Sequence, residues 1–212
     1  MIGLRAKERA KERAKERTKE RAIGAGLLLL MGAHLATHPE RGAWILLSTC
    51  DIAALATALG LLVGWHRAVG VAFLFEVAMG LPAFFGGLLT GVYAPNATSV
   101  AIHLLPPIAG GWAVARRGLP RHSTAIAFAV SLLAVVTSCL FSPPALNVNL
   151  VFVIWPPIHR LFLSRLAGLL VYHGIGPLIL LSVTEVALRK WFPGAVSSPP
   201  ASSPALPRDI PG

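Results

Sequence analysis

Apolar residues fall into six long runs, at about 23–37, 43–64, 69–93, 98–115, 123–142 and 166–188, separated by short polar or basic segments. A helix needs about 20 predominantly apolar residues to cross a bilayer. Each run therefore predicts a membrane span; the first is short and gains length from the helix in front of it. That preceding segment is a four-residue repeat, Lys7-Glu8-Arg9-Ala10 followed by KERA, KERT and KERA up to Ala22. Every residue of the repeat but Thr18 favours helix. Glu8 with Lys11, and Arg9 with Glu12, set opposite charges three residues apart along its surface. With no apolar face it is expected to stand in water or lie on lipid headgroups. The piece LVFVIWPP over 150–157 is too short to cross, so 149–165 reads as an interfacial or re-entrant segment. From Pro193 to Gly212 there are six Pro and four Ser with little apolar content, which predicts a disordered tail. Three regions result: a charged helical tail over 1–22, a transmembrane bundle over 23–190 and a Pro/Ser-rich tail over 191–212. The expected fold class is all-α, a polytopic membrane helix bundle of six spans.

Composition agrees with the pattern. The chain is 55% hydrophobic and 13% charged, with a mean hydropathy of +0.67, where a soluble domain carries about a quarter charged residues. A water-soluble enzyme, a disordered regulator and a nucleic-acid-binding domain are excluded. Of the net charge of +10, half sits in residues 1–22, where it suits the anionic headgroups of membrane lipid rather than nucleic acid. The basic run followed by Ile23–Met31 resembles a signal peptide, but it lacks a clear small-x-small cleavage site and further spans follow, so an uncleaved anchor is expected. With the N-terminus cytoplasmic, sixteen basic residues fall on inner segments and three (Arg41, Arg160, Arg165) on outer ones. The positive-inside bias then predicts both termini in the cytoplasm.

Ionisable groups inside a bilayer are costly and mark function by default. His34, Cys50 with Asp51, His103, Cys139 and His173 lie one to two turns from the outer ends of five different runs. Cys50 and Asp51, entered from Ala43, lie roughly 10 Å deep at 1.5 Å per residue. Glu76 is the exception, about two turns from the cytoplasmic end of the third run. Pro107 follows His103 by four residues and Pro177 follows His173 by four, so both histidine carbonyls lose a helical donor. Broken helices of this kind are tolerated where they line a cavity or find polar partners. Gly110, Gly111, Gly174 and Gly176 add room for close packing or for a ligand. Taken singly, each histidine is explained as well by hydrogen bonding between helices, and Cys50 by its small apolar bulk. A disulfide between Cys50 and Cys139 requires the second and fifth spans to touch. Soluble-enzyme motifs such as G-x-S-x-G, H-E-x-x-H, Walker A and C-x-x-C are absent. The sequon Asn96-Ala97-Thr98 lies hard against a span and is discounted.

Three features together resemble a known family: Cys50 within LLSTCDIAAL, His103 heading a Pro-bearing helix about fifty residues on, and Asn147-Val148-Asn149-Leu150-Val151-Phe152 before a Pro-Pro turn and the last span. They are similar to the YwaF-type integral membrane family of bacteria over roughly 43–188. That family resembles eukaryotic multi-pass acyltransferases and fatty-ester hydrolases, which act with a Thr or Cys nucleophile and a His inside the bilayer. The family usually has a histidine two residues before the cysteine, where this chain has Ser48. The resemblance implies a bacterial inner-membrane location and a lipid-like substrate.

On this reading Cys50 is the nucleophile, His103 its base, and Asp51 or His173 orients or tunes. Thr49 is the reserve nucleophile, about 100° round the helix; Asn147 and Asn149 are further orienting candidates. A thiol needs a base beside it to act, and a lipid ester carbonyl lies just under the headgroups, at the depth of this cluster. No cofactor or resident metal is called for. A second class is a transporter or metal-binding permease with His34, Asp51, His103 and His173 as ligands, although the halves show no inverted repeat. A structural membrane subunit without catalysis is the third.

Overall fold

Nothing in the sequence breaks the helix between the charged repeat and the first apolar run. In the computed structural model, which describes residues 2–91, 96–152 and 164–193, the two form one helix, α1, Ile2–Ala36. The described residues are helices and turns, with no strand among them. The second run is not one helix. A 3-10 stretch, Gly42–Leu47, ends at Ser48 in an extended conformation, and α2 starts at Thr49 and runs to Val63. Cys50 and Asp51 therefore stand in the first turn of α2, not two turns inside a longer helix. Asp51 is well placed there against the positive end of the helix dipole.

The third run begins earlier than its hydropathy suggests. It contains α3 (His66–Phe75), a π-helical turn (Glu76–Gly80) and α4 (Leu81–Leu89), which together make a single 24-residue rod. Its expected end at 93 lies outside the described residues. The fourth and fifth runs are α5, Ala97–Arg117, and α6, Ser123–Phe141. The last contains α7 (Arg165–Leu170), a π-helical turn (Val171–Ile175) and α8 (Gly176–Trp191). Between α6 and α7, two 3-10 turns occupy Pro144–Leu146 and Val148–Leu150. Most of the expected interfacial segment, 153–163, and the tail from 194 lie outside the described residues.

Among the described residues four helices are long and apolar enough to cross a membrane: His66–Leu89, Ala97–Arg117, Ser123–Phe141 and Leu166–Trp191. The first two runs fall short of that length. Ser48 cuts the second, leaving 15 helical residues, and the first is continued by charge rather than by apolar residues. The 66–89 rod is the most buried of the four and the last helix the least. Leu61, Leu74 and Leu181 are fully buried in the core, whereas Leu133, Leu140, Ile179 and Val183 point outward from α6 and α8. An apolar exterior of this kind is what a bilayer solvates. α1 packs closely on α2 because Gly24 has no Cβ, which would sit 2.6 Å from the Ala58 carbonyl oxygen.

One end of the bundle is tied by charge. Glu20, buried on α1, receives Arg117 Nη2 at 2.5 Å, and the same guanidinium contacts His66 Nδ1. Arg17 donates to the Val63 carbonyl at 2.8 Å, and Glu16 pairs with Arg116, which lies over Trp112. Beside them Glu185 accepts the Thr124 N–H at 2.8 Å, and Arg189 bonds Glu185 and the Leu119 and Pro120 carbonyls. The repeat is thus free of the bundle only up to about Lys15. Residues 16–20 are docked through ion pairs, although they have no apolar face.

Candidate functional site

The opposite end holds the polar residues singled out above, divided into two groups. In the first, His34 Nε2 lies 3.7 Å from Asp51 Oδ1, and its Nδ1 lies 3.4 Å from Thr98 Oγ1. Thr37 Oγ1 is 2.8 Å from Thr98 Oγ1 and donates to the His34 carbonyl, while the His38 ring packs 4.5 Å from that of His34. Thr98 donates to Asn96 Oδ1, which also accepts the Ser99 N–H and so caps α5. Asn96 is thus a helix cap. His103 belongs to this side: its ring stacks on Phe84 at 4.3 Å and 11°, and its Nδ1 bonds the Ser99 carbonyl at 2.8 Å.

The second group surrounds a cavity of about 320 Å³ lined by Ser48, Thr49, Cys50, Asn149, Tyr172 and His173, with Arg41 and Asn147 also at its wall. Its floor is a tight loop in which Asn147, Asn149 and Leu150 all have left-handed φ, between 43° and 58°. Asn tolerates that region, but Leu does so only under strain. The loop is held by Asn149, whose Oδ1 accepts the Thr49 N–H at 2.8 Å while Nδ2 donates to the Leu47 carbonyl and to Ser138 Oγ. His173 donates to the Leu150 carbonyl, and its Nε2 is buried with no hydrogen-bond partner among the described residues.

Proline acts in two ways at the two histidines. α5 runs as regular helix through Pro106 and Pro107. The last helix instead inserts the π turn just before Pro177, with the Gly176 N–H bonded to the Val171 carbonyl. π turns of this kind concentrate at functional sites. The small residues divide likewise: Gly110 and Gly111 pack against Phe73, whereas Gly174 faces open space.

A second, apolar cavity of about 440 Å³ lies between α2, α3 and α6 and shares Thr49, Phe75 and Ser131 with the first. Its wall is Thr49, Ile52, Ala53 and Ala56 on α2, the segment from Trp65 and Arg67 to Phe75 along α3, and Ile126 to Ser131 on α6.

No family model, curated protein or solved structure matches the chain.

Of the four residues expected at one catalytic site, Cys50 and His173 share the cavity, Asp51 turns to His34, and His103 is absent from the cavity wall. Cys50 and Cys139 are both free thiols, Cys139 on the exposed surface of α6. Among the described residues no three His, Cys, Asp or Glu side chains gather as a metal site. Glu76, set apart by its place in the sequence, comes within electrostatic range of Cys50 and Asp51. Pro82 withholds a donor from the Ala78 carbonyl and so marks the π turn that Glu76 opens, as Pro177 marks the later one.

Proposed function

We propose that the chain is a six-crossing membrane protein, both termini cytoplasmic, that holds a lipid acyl ester at the outer end of its bundle and transfers or hydrolyses the acyl group. What carries this reading is that an apolar cavity and a polar one are neighbours, sharing Thr49, Phe75 and Ser131 as wall residues. The first offers an apolar wall for part of an acyl chain, and the second, beside it, bears a thiol, an imidazole and two asparagines. Six crossings fit the alternation of helix ends: α1 near Glu20, the end of α2, the start of α3 and the end of α5 meet at the basic end, and His34, Thr49, Thr98 and Asn149 meet at the other. Membership of the YwaF-type family and a place in a bacterial inner membrane belong to the same proposal.

In this scheme Cys50 attacks the ester carbonyl carbon and His173, not His103, takes the thiol proton. The carbon–oxygen bond then breaks, the leaving alcohol recovers that proton, and water or an acceptor alcohol releases the thioester. His34, Thr37, Thr98 and His103 are interhelical hydrogen-bond and stacking partners that join α1, α4 and α5. That observation also favours the second reading, a structural bundle without chemistry. Full-length protein in lipid nanodiscs, treated with a long-chain acyl ester of an activated phenol, decides between them. Hydroxylamine-sensitive acylation is expected, lost in Cys50→Ala, reduced at least about tenfold in His173→Ala and retained in His103→Ala. Equal acylation of Cys50→Ala would leave the structural reading.

A further inference from the structure

Glu76 has no part in that chemistry. Its side chain is 0% exposed, and neither carboxyl oxygen has a hydrogen-bond partner among the described residues. It opens the π turn of the 66–89 rod, and the space beside it exists because residue 80 is glycine. A Cβ there would overlap Glu76 Oε2 and lie 3.7 Å from Cys50 Sγ. The titratable groups on elements packed against this turn are Cys50 and Asp51 on α2 and His103 on α5. At the basic end there are also His66 and Arg67 on α3, Arg116 and Arg117 on α5, and Glu185, Arg189 and Lys190 on α8; α4 has none. His173 stands in the π turn before α8. None of these is a cation paired with Glu76; its charged neighbour is another acid, Asp51. An ionised carboxylate without donor or counter-ion is among the costliest groups to bury in a membrane.

The surroundings also lead outward. Asp51 is 4% exposed with Oδ1 unbonded, His34 Nε2 lies 3.7 Å from that oxygen, and His38 packs on His34 near the outer end. Chains of carboxyl and imidazole groups in this order are how membrane proteins move protons. We infer that Glu76 is a proton-binding carboxyl in the membrane interior, loaded from the outer end of the bundle through His38, His34 and Asp51. The bound proton is exchanged and no other reactant is needed. The inference does not rest on acyl chemistry at Cys50.

A hydrophobic carbodiimide tests it, because a protonated carboxyl adds across the reagent and rearranges to a stable N-acylurea. Full-length protein in liposomes is treated at a series of external pH values and the adduct located by peptide mass. An adduct at Glu76 is expected, absent in Glu76→Gln, its yield falling about tenfold per pH unit once the site is mostly ionised. After a jump in external pH, His34→Ala and Asp51→Asn should re-equilibrate more slowly than the unaltered chain by at least about tenfold. No adduct at Glu76 under acid conditions, or a yield indifferent to pH, overturns the site. Unchanged re-equilibration in both variants overturns the route. The adduct is read on the unaltered chain, so the result does not depend on a variant folding.

Discussion

Asn149 caps a helix that begins 100 residues before it: its Oδ1 accepts the Thr49 N–H at 2.8 Å, and its Nδ2 donates to the Leu47 carbonyl at 2.7 Å. One side chain thus satisfies the break between the 3-10 stretch and α2 and seats the loop that floors the cavity. Asn149→Ala is expected to cost about 2 kcal/mol, from the lost cap and the unpaired backbone groups. Asn149→Gly should be milder by about 1 kcal/mol, since glycine removes the left-handed penalty that alanine carries at φ 54°. Thermal unfolding in one detergent measures both. Equal melting of all three proteins would mean that the cap contributes nothing.

At the other end the pairs of α1 differ in burial, and so should their worth. The Glu20 side chain is 2% exposed and that of Glu16 is 39%. Arg117→Ala leaves Glu20 buried without its cation and is expected to cost about 3 kcal/mol. Arg116→Ala should cost less than about 1 kcal/mol. Deleting residues 1–15 should leave a monodisperse protein in detergent, whereas deleting 1–22 strips Arg17 and Glu20 from the bundle and should lower the melting temperature. Chromatography and unfolding of the four proteins check the ranking, and equal losses in the two arginine variants would refute it.

Topology gives the third expectation. Reporter fusions at Gly118 and at the C-terminal tail should both report cytoplasm, given the basic residues around them. A fusion in the loop near Asn147 should report the outside. An outward signal at Gly118 would invert the bundle and place the cavity on the cytoplasmic side.

Cys50 shows where one-dimensional reading stops. Its run was recognisable as apolar and helical, but the helix starts at Thr49 because a side chain from far along the chain supplies the cap. Hydropathy carries no record of that partner. His103 and His173 were equivalent by spacing from their prolines, yet only His173 reaches the cavity. The face each presents is set by rotation of its helix against neighbours, by the Phe84 stack in one case and a π turn in the other.

The amino-acid sequence by itself determined that this is an all-helical, apolar chain. It placed α5 and α6 to within two residues and the last helix to within a few, because the bilayer's demand for long apolar helices is written directly into composition and run length. Tertiary structure alone decided that the charged repeat docks through Glu16, Arg17 and Glu20, that Glu76 joins Cys50 and Asp51, and that Asn149 builds the cavity floor. Each of these depends on which residues of distant segments meet. That is settled by packing and hydrogen-bond satisfaction across helices, and no local window of the chain contains it.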